Sequence, residues 1–269
     1  MSRRQRLQSL DDSIACVLRS LPKNENTAAW IRAYADNHRN RLAQDVELLR
    51  QYAGSARSVL EVGSAPLFLT LTLKRAGYDV RGLDLAPEDY SSLVEEHQLD
   101  IRKVDIERER IPFPDDSFDV VLFNEVFEHL RIDLIFTMSE VKRVLKPGGR
   151  LFLSTPNHRS LVGVWTLLWH HAGCHVCPDL YHEHEKIQTL GFMGHVREYT
   201  AREVSGFLTQ IGLPTELVIY RYLNPHVRAS FALKVRDAIE RAVCSLVPAW
   251  RPLFSLVCQK PPSDSHEGR

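Results

Sequence analysis

The sequence predicts an α/β fold, a parallel sheet with helices on both faces, and three stretches carry that prediction. Ser58-Val59-Leu60-Glu61-Val62 reads as a short buried strand, closed by Gly63 and the turn Ser64-Ala65-Pro66. An apolar helical stretch follows from Leu67 to Ala76, with Gly77 where a helix C-cap glycine belongs, and a second strand, Tyr78 to Leu85, carries Asp84 at its end. Val120-Val121-Leu122-Phe123 is near-continuously apolar, as a central parallel strand is. A strand, tight turn, helix and strand ending in an acid about twenty residues on make half of a nucleotide-binding βαβ unit.

The kind of nucleotide follows from what the turn lacks. A dinucleotide site needs three glycines so that the backbone can approach a pyrophosphate at a helix N-terminus. Here Gly63 stands alone, with Ala65, Pro66 and Leu67 at the following positions, and Pro66 removes an amide an anion would use. Asp84 can accept both hydroxyl protons of a ribose. A ligand with a ribose and no phosphate therefore fits better, and S-adenosyl-L-methionine is the common one. A doubly wound domain with another ligand, or none, is the alternative.

Composition narrows the class. A chain of 269 residues suits one domain with an appended or inserted region. Lys plus Arg and Asp plus Glu are balanced at 34 each, so no global field argues for nucleic acid or an anionic membrane. Five cysteines, an odd count at irregular spacing, do not suggest a disulfide framework. Arg3, Arg4 and Arg6 resemble a basic leader, but Asp11 and Asp12 follow with no apolar run between. The longest clean apolar run, Leu161 to Trp169, is half a membrane span, so a cytoplasmic chain without an integral membrane segment is expected.

In order, residues 1–51 read as a helical segment, either a lid over a cofactor or a cover for the sheet. Apolar residues recur at helical spacing over Ala28–Tyr34 and Arg41–Leu49, with Asn37-His38-Arg39-Asn40 between them. A domain over 52–260 follows. After Asp84, a short helix over Ser91–Gln98 precedes a third strand, Ile101–Val104, then Asp105-Ile106. Val120–Phe123 is the fourth strand; Asp133 caps a helix that runs to Leu145, and Lys146-Pro147-Gly148-Gly149 breaks it. Arg150–Ser154 is the fifth strand, Leu217–Tyr222 the sixth and Leu253–Cys258 an antiparallel seventh. Thr200 and Glu203 form a capping box for a helix over Ala201–Gln210. The amphipathic run within 228–250 predicts a cover helix, which could also pair with a second subunit or touch a membrane surface, and 261–269 is a polar tail.

Phe118-Asp119-Val120-Val121, Glu125-Val126-Phe127-Glu128-His129, Leu145-Lys146-Pro147-Gly148-Gly149 and Ser154-Thr155-Pro156-Asn157, in this order and spacing, resemble class I S-adenosylmethionine-dependent methyltransferases. The similar group includes quinone-type and polysaccharide-cluster enzymes of the methyltransferase type 11 kind, and the likeness covers roughly residues 40 to 220. It implies a Rossmann-like seven-stranded sheet with an N-terminal helical lid and an insert after strand five. It implies that Glu61, Gly63, Ser64 and Ala65 surround the methionine end, and that Asp84 with Leu85 holds the ribose. Asp105 would accept the adenine amino group with Ile106 beside the ring, and Asn124 ends the fourth strand at the site. The turn departs from the family, which usually has a second glycine at position 65.

The acceptor side is expected at 157–199, an insert between the fifth strand and the return to the sheet. His129 and His195 are candidate bases, since an imidazole can take a hydroxyl proton near neutral pH. Glu125, Glu128 and His129 at i, i+3 and i+4 would share one helical face, where a divalent cation is the competing reading; the expectation is no metal. His170, His171, Cys174, His175, Cys177, His182 and His184 crowd the insert, yet no second ligand pair at disciplined spacing makes a zinc site. Leu161–Trp169 could line an apolar or sugar-binding cleft, or be core. The string from His195 to Thr200 resembles one in glycan-cluster methyltransferases, which implies that Arg197 and Tyr199 face the acceptor. The expected function is O-methylation of a glycan or small-molecule hydroxyl. A non-catalytic nucleoside-binding regulator and a zinc-stabilised interaction module are the alternatives.

Overall fold

The computed structural model describes residues 2–170, 179–190, 194–222 and 231–262. His171, Cys174, His175 and Cys177 lie outside the described residues, as do 223–230 and 263–269.

Two helices come first. α1 (Arg3–Arg19) opens on a reciprocal Ser2/Gln5 capping box, and α2 (Glu25–Tyr52) on Asn24, whose side chain accepts from the amides of Asn26 and Thr27. α2 runs unbroken through Asn37-His38-Arg39-Asn40, because its apolar stripe resumes in phase on the far side.

The strands are β1 (Ser58–Val62), β2 (Asp79–Asp84), β3 (Asp100–Lys103), β4 (Phe118–Asn124), β5 (Leu145–Pro156), β6 (Thr215–Arg221) and β7 (Leu253–Gln259). They form one sheet in the order β3-β2-β1-β4-β5-β7-β6, with β7 antiparallel to both neighbours. β5 starts five residues earlier than the sequence suggests, because the Gly148 and Gly149 backbones pair with Lys260 beyond β7. Strand order reverses between β1 and β4, which opens the crevice at their carboxyl ends where ligands of open α/β sheets sit.

The faces are covered unequally. Leu10, Val17, Ile31, Leu42, Val46 and Leu49 of α1 and α2 pack with α3 (Phe68–Arg75) on Val59, Val120, Phe152 and Val257. α5 (Leu134–Val144), capped by Asp133 as expected, and α8 (Ala201–Ile211), opened by the Thr200/Glu203 capping box, cover the other face. Each fully buried aliphatic side chain contributes about 1.5–3 kcal/mol. The amino-terminal helices therefore cover the sheet, and the upper part of α2 also reaches the carboxyl edge.

Four further helices among the described residues decorate the fold: α4 (Ser91–Glu96), α6 (Leu161–Trp165), continued by a π-helical turn over Thr166–His170, α7 (Leu180–Thr189) and α9 (Phe231–Leu246). Trp165 and Trp169 are not core. Their rings stack at 4.2 Å and both are more than half exposed, because one turn of helix puts them on the outer side together.

Candidate functional site

The cofactor side is built by the β1 and β2 ends. Gly63 has φ +68°, and a Cβ there would lie 2.6 Å from Val126 Cγ2, so only glycine fits. The amides of Gly63 and Ser64 both donate to the Leu83 carbonyl, which folds the turn onto β2. Asp84 then latches it: one carboxylate oxygen accepts from the Ala65 amide at 2.8 Å, the other from the Ala86 amide at 3.2 Å. Burial raises the Asp84 pKa, and these amides oppose the rise. Each oxygen keeps a lone pair for a hydroxyl donor, so the acid suits a ribose.

The other expected cofactor positions differ in access. Leu85 is 47% exposed, and Asp105 follows β3 with one oxygen accepting from the Glu107 amide. Ile106 packs against the core and Asn124 ends β4, paired with Ser154. Glu61 is buried and accepts from Thr70 Oγ1 at 2.5 Å; burial pushes its pKa up to about 8. The Ser64 hydroxyl is buried against Gly82, so Ser64 contributes backbone rather than side chain. Gly63, Asp84 and Asn124 thus stand along the carboxyl edge of β1, β2 and β4.

On the acceptor side, the expected helical face of Glu125, Glu128 and His129 does not form. Glu125 takes a left-handed conformation (φ +57°), and only Phe127–His129 make a single 3-10 turn. Glu125 accepts from Ser154 Oγ and Glu128 from Thr155 Oγ1, each at 2.8 Å. The two acids therefore bond to successive residues at the carboxyl end of β5 and remain within electrostatic reach of each other.

Glu128 instead meets His129 and His195. Its Oε1 lies 4.0 Å from His129 Nε2 and 3.9 Å from His195 Nε2, and the two rings stand edge to face at 4.9 Å. On its other side His195 Nδ1 is 3.9 Å from Glu198 Oε1. The backbone amide of His195 donates to Glu183 of α7 at 2.7 Å, and the Val196 amide to the Glu128 carbonyl at 2.8 Å. Burial works against a charged His195, yet Glu198 and Glu128 outweigh it and hold the imidazole above its ordinary value. Burial, then Glu125, push Glu128 up to about 8, with His195 opposing. Glu128, His129 and His195 each offer an atom within 4.8 Å of the others, close enough to hold a cation.

The second wall of the crevice comes from α2. Tyr34, His38, Arg41 and Asp45 recur at helical spacing, a polar continuation of the buried stripe. Arg41 is fully buried: Nε donates to His38 Nδ1 at 3.2 Å, Nη1 to Asp45 at 3.1 Å, and Nη2 to the Tyr34 hydroxyl. Since His38 Nδ1 accepts, its proton sits on Nε2. Burial, then Arg41, push the His38 pKa down to about 3, so His38 is a fixed neutral donor and no base. It lies within electrostatic reach of His195. Tyr34, His38, Arg41 and Glu198 were not singled out from the sequence. The signal for the first three was a polar stripe in phase with the apolar one.

Arg197 and Tyr199 are not brought to the histidine pair. Arg197 is turned outward, its Nη2 donating to Glu203 at 2.7 Å and its guanidinium 4.8 Å from the Tyr199 ring centre. The Tyr199 ring is core, edge to face with Phe127 at 5.0 Å. The capping-box acid Glu203 thus ties Arg197 to the start of α8.

The sheet order and the glycine turn with its acid latch resemble those of class I S-adenosylmethionine-dependent methyltransferases. Residues 60–153 match the family model described as "Methyltransferase domain". The chain is similar to a phthiotriol/phenolphthiotriol dimycocerosates methyltransferase of Mycobacterium leprae, 35% identical over 41% of this chain and 42% of that protein. It is also similar to a ubiquinone biosynthesis O-methyltransferase of Aeromonas salmonicida, 25% identical over 56% of this chain and 66% of that protein. The chain thus spans between two fifths and two thirds of these relatives. Its fold is that of a SAM-dependent methyltransferase from Archaeoglobus fulgidus, with TM-score 0.57, 16% identity, and coverage of 86% of this chain and 99% of that one. The PH0226 protein of Pyrococcus horikoshii aligns with TM-score 0.55 and 17% identity over 83% and 91% of the two chains. S-adenosyl-L-methionine is the cofactor that such a domain takes, and the single-glycine turn and the Asp84 carboxylate at the end of β2 fit it. Among the described residues no helix is long and apolar enough to cross a membrane.

Proposed function

We propose that this chain transfers a methyl group from S-adenosyl-L-methionine to a hydroxyl oxygen of a small-molecule acceptor. The observation that carries the reading is His195, held between Glu128 and Glu198 at the carboxyl edge of β5, across the crevice from α2. The cofactor supplies a methyl made electrophilic by its sulfonium. The chain's own task is then to align the acceptor, keep water out and take one proton. His195 accepts the proton that the hydroxyl oxygen gives up as it gains the methyl, and Glu128 and Glu198 stabilise the imidazolium. His129, edge on to His195, is the second acid–base group. Asp84 holds the ribose. Glycan acceptors share the same hydroxyl chemistry. The zinc-module reading rests on cysteines that lie outside the described residues.

Two results check this site. Asp84→Ala is expected to weaken S-adenosylhomocysteine binding by about 1–3 kcal/mol, since two ribose hydroxyls lose their acceptor in a partly buried site. Calorimetry reads it, and wild-type affinity in the variant removes Asp84 as the ribose anchor. Glu198→Gln removes a charge that raises the His195 pKa, so the acid limb of the kcat/KM profile is expected to move to lower pH. An unmoved limb means that the titrating base is another group.

The deciding experiment is a screen for methyl transfer from labelled S-adenosylmethionine to small hydroxylated acceptors, run with and without EDTA. Transfer that persists in EDTA supports the proton-transfer role of the Glu128–His129–His195 cluster. Transfer abolished by EDTA and restored by magnesium makes the cluster a cation site.

A further inference from the structure

Between α2 and the sheet, the packing changes character toward the carboxyl edge. Phe152, Val257 and Leu217 stand side by side on β5, β7 and β6, and they belong to the apolar layer of Leu42, Val46 and Leu49. Two residues nearer the edge, the same face carries Ser154 and Ser255 as direct partners, and Arg221 lies one further step along β6.

Arg221 is buried, its side chain 3% exposed. Its Nη1 donates to Asp45 Oδ1 at 2.5 Å, but among the described residues Nε and Nη2 have no hydrogen-bond partner, and neither has the buried Ser255 hydroxyl. Nε–H and Nη2–H project from one edge of the guanidinium as a two-pronged fork, which matches two oxygens of a carboxylate or phosphate. Asp45 is already shared with Arg41, so two guanidinium charges meet one carboxylate. Buried donors left unanswered are costly, and native structures keep few of them.

We propose that Arg221, with Ser255 beside it, docks an acid group of the acceptor, so that the substrate is a hydroxyl compound bearing a carboxylate or phosphate. The proposal rests on the methyltransferase reading. The fork does not serve the cofactor: β6 is four strands from β1, roughly 19 Å at the usual strand spacing. Glu125, bonded to Ser154 on the same face, repels an acid group from the β4–β5 end and leaves the Arg221 end for it. The acceptor then lies with its acid toward β6 and its hydroxyl toward His195.

The test uses the 15N-labelled full chain with S-adenosylhomocysteine bound. The Arg221 Nε–H resonance, assigned in the wild-type chain by correlation to its own backbone, is followed while benzoate, methyl phosphate or neutral benzamide is added. A saturable shift with either anion and none with benzamide is the expected result. In calorimetry, Arg221→Lys should bind the anion about tenfold or more weakly, because a lysine keeps the charge and loses the fork. The acid-versus-amide comparison is made on the wild-type chain, so it stands even if that variant does not fold. S-adenosylhomocysteine that binds while neither anion moves the resonance means a water-filled fork and overturns the acid-group proposal alone. Failure of S-adenosylhomocysteine to bind overturns the methyltransferase reading and the acceptor assignment with it.

Discussion

Asp45→Asn is expected to destabilise the chain by about 3–5 kcal/mol, because it leaves two buried guanidinium groups without their shared counter-ion. Asp45 accepts from Arg41 at 3.1 Å and from Arg221 at 2.5 Å, and all three side chains are almost wholly buried. An asparagine can still accept one hydrogen bond, but it cannot offset the charge. Since a domain is typically stable by only about 5–15 kcal/mol, the loss should appear as a large drop in the urea midpoint. The exposed pair Arg50–Glu47 gives the control, where breaking the contact should leave the urea midpoint almost unmoved. A loss under about 1 kcal/mol at Asp45 would mean that solvent reaches the cluster. Asp45 joins α2 to β6, so the same variant should loosen the wall that carries Tyr34 and His38.

His195→Ala is expected to lower methyl transfer by roughly 10²-fold or more while cofactor affinity changes little. The reasoning is geometric. His195 is held by its backbone to Glu183 and flanked by Glu128 and Glu198, whereas the cofactor turn is built from Gly63, Ala65 and Asp84 on other strands. His38 cannot substitute, since burial and Arg41 hold it neutral. His129 can in part, so His129→Ala should cost less and the double variant more than either alone. If His195→Ala turns over normally, or loses S-adenosylhomocysteine binding in step with activity, the base lies elsewhere and His129 takes its place.

The sequence by itself determined the local elements. Gly63 between an apolar strand and an apolar helix, Asp84 at the next strand's end, Asp133 and Thr200/Glu203 as helix caps, and the alternation that ends in an antiparallel strand were legible as patterns of neighbouring residues. Those patterns rest on backbone conformation and short-range hydrogen bonds, which a few consecutive residues settle. Only the tertiary structure decided which side chains meet. Glu125 and Glu128 look like one helical face by spacing, but Glu125 is left-handed and the two acids bond separately to Ser154 and Thr155 of β5. Arg197 looked acceptor-facing until Glu203 drew it outward. Asp45 and Arg221 stand 176 positions apart in the chain, and no local pattern marks them as partners. Their pairing depends on α2 crossing β6, a long-range packing choice made by the apolar stripe below them.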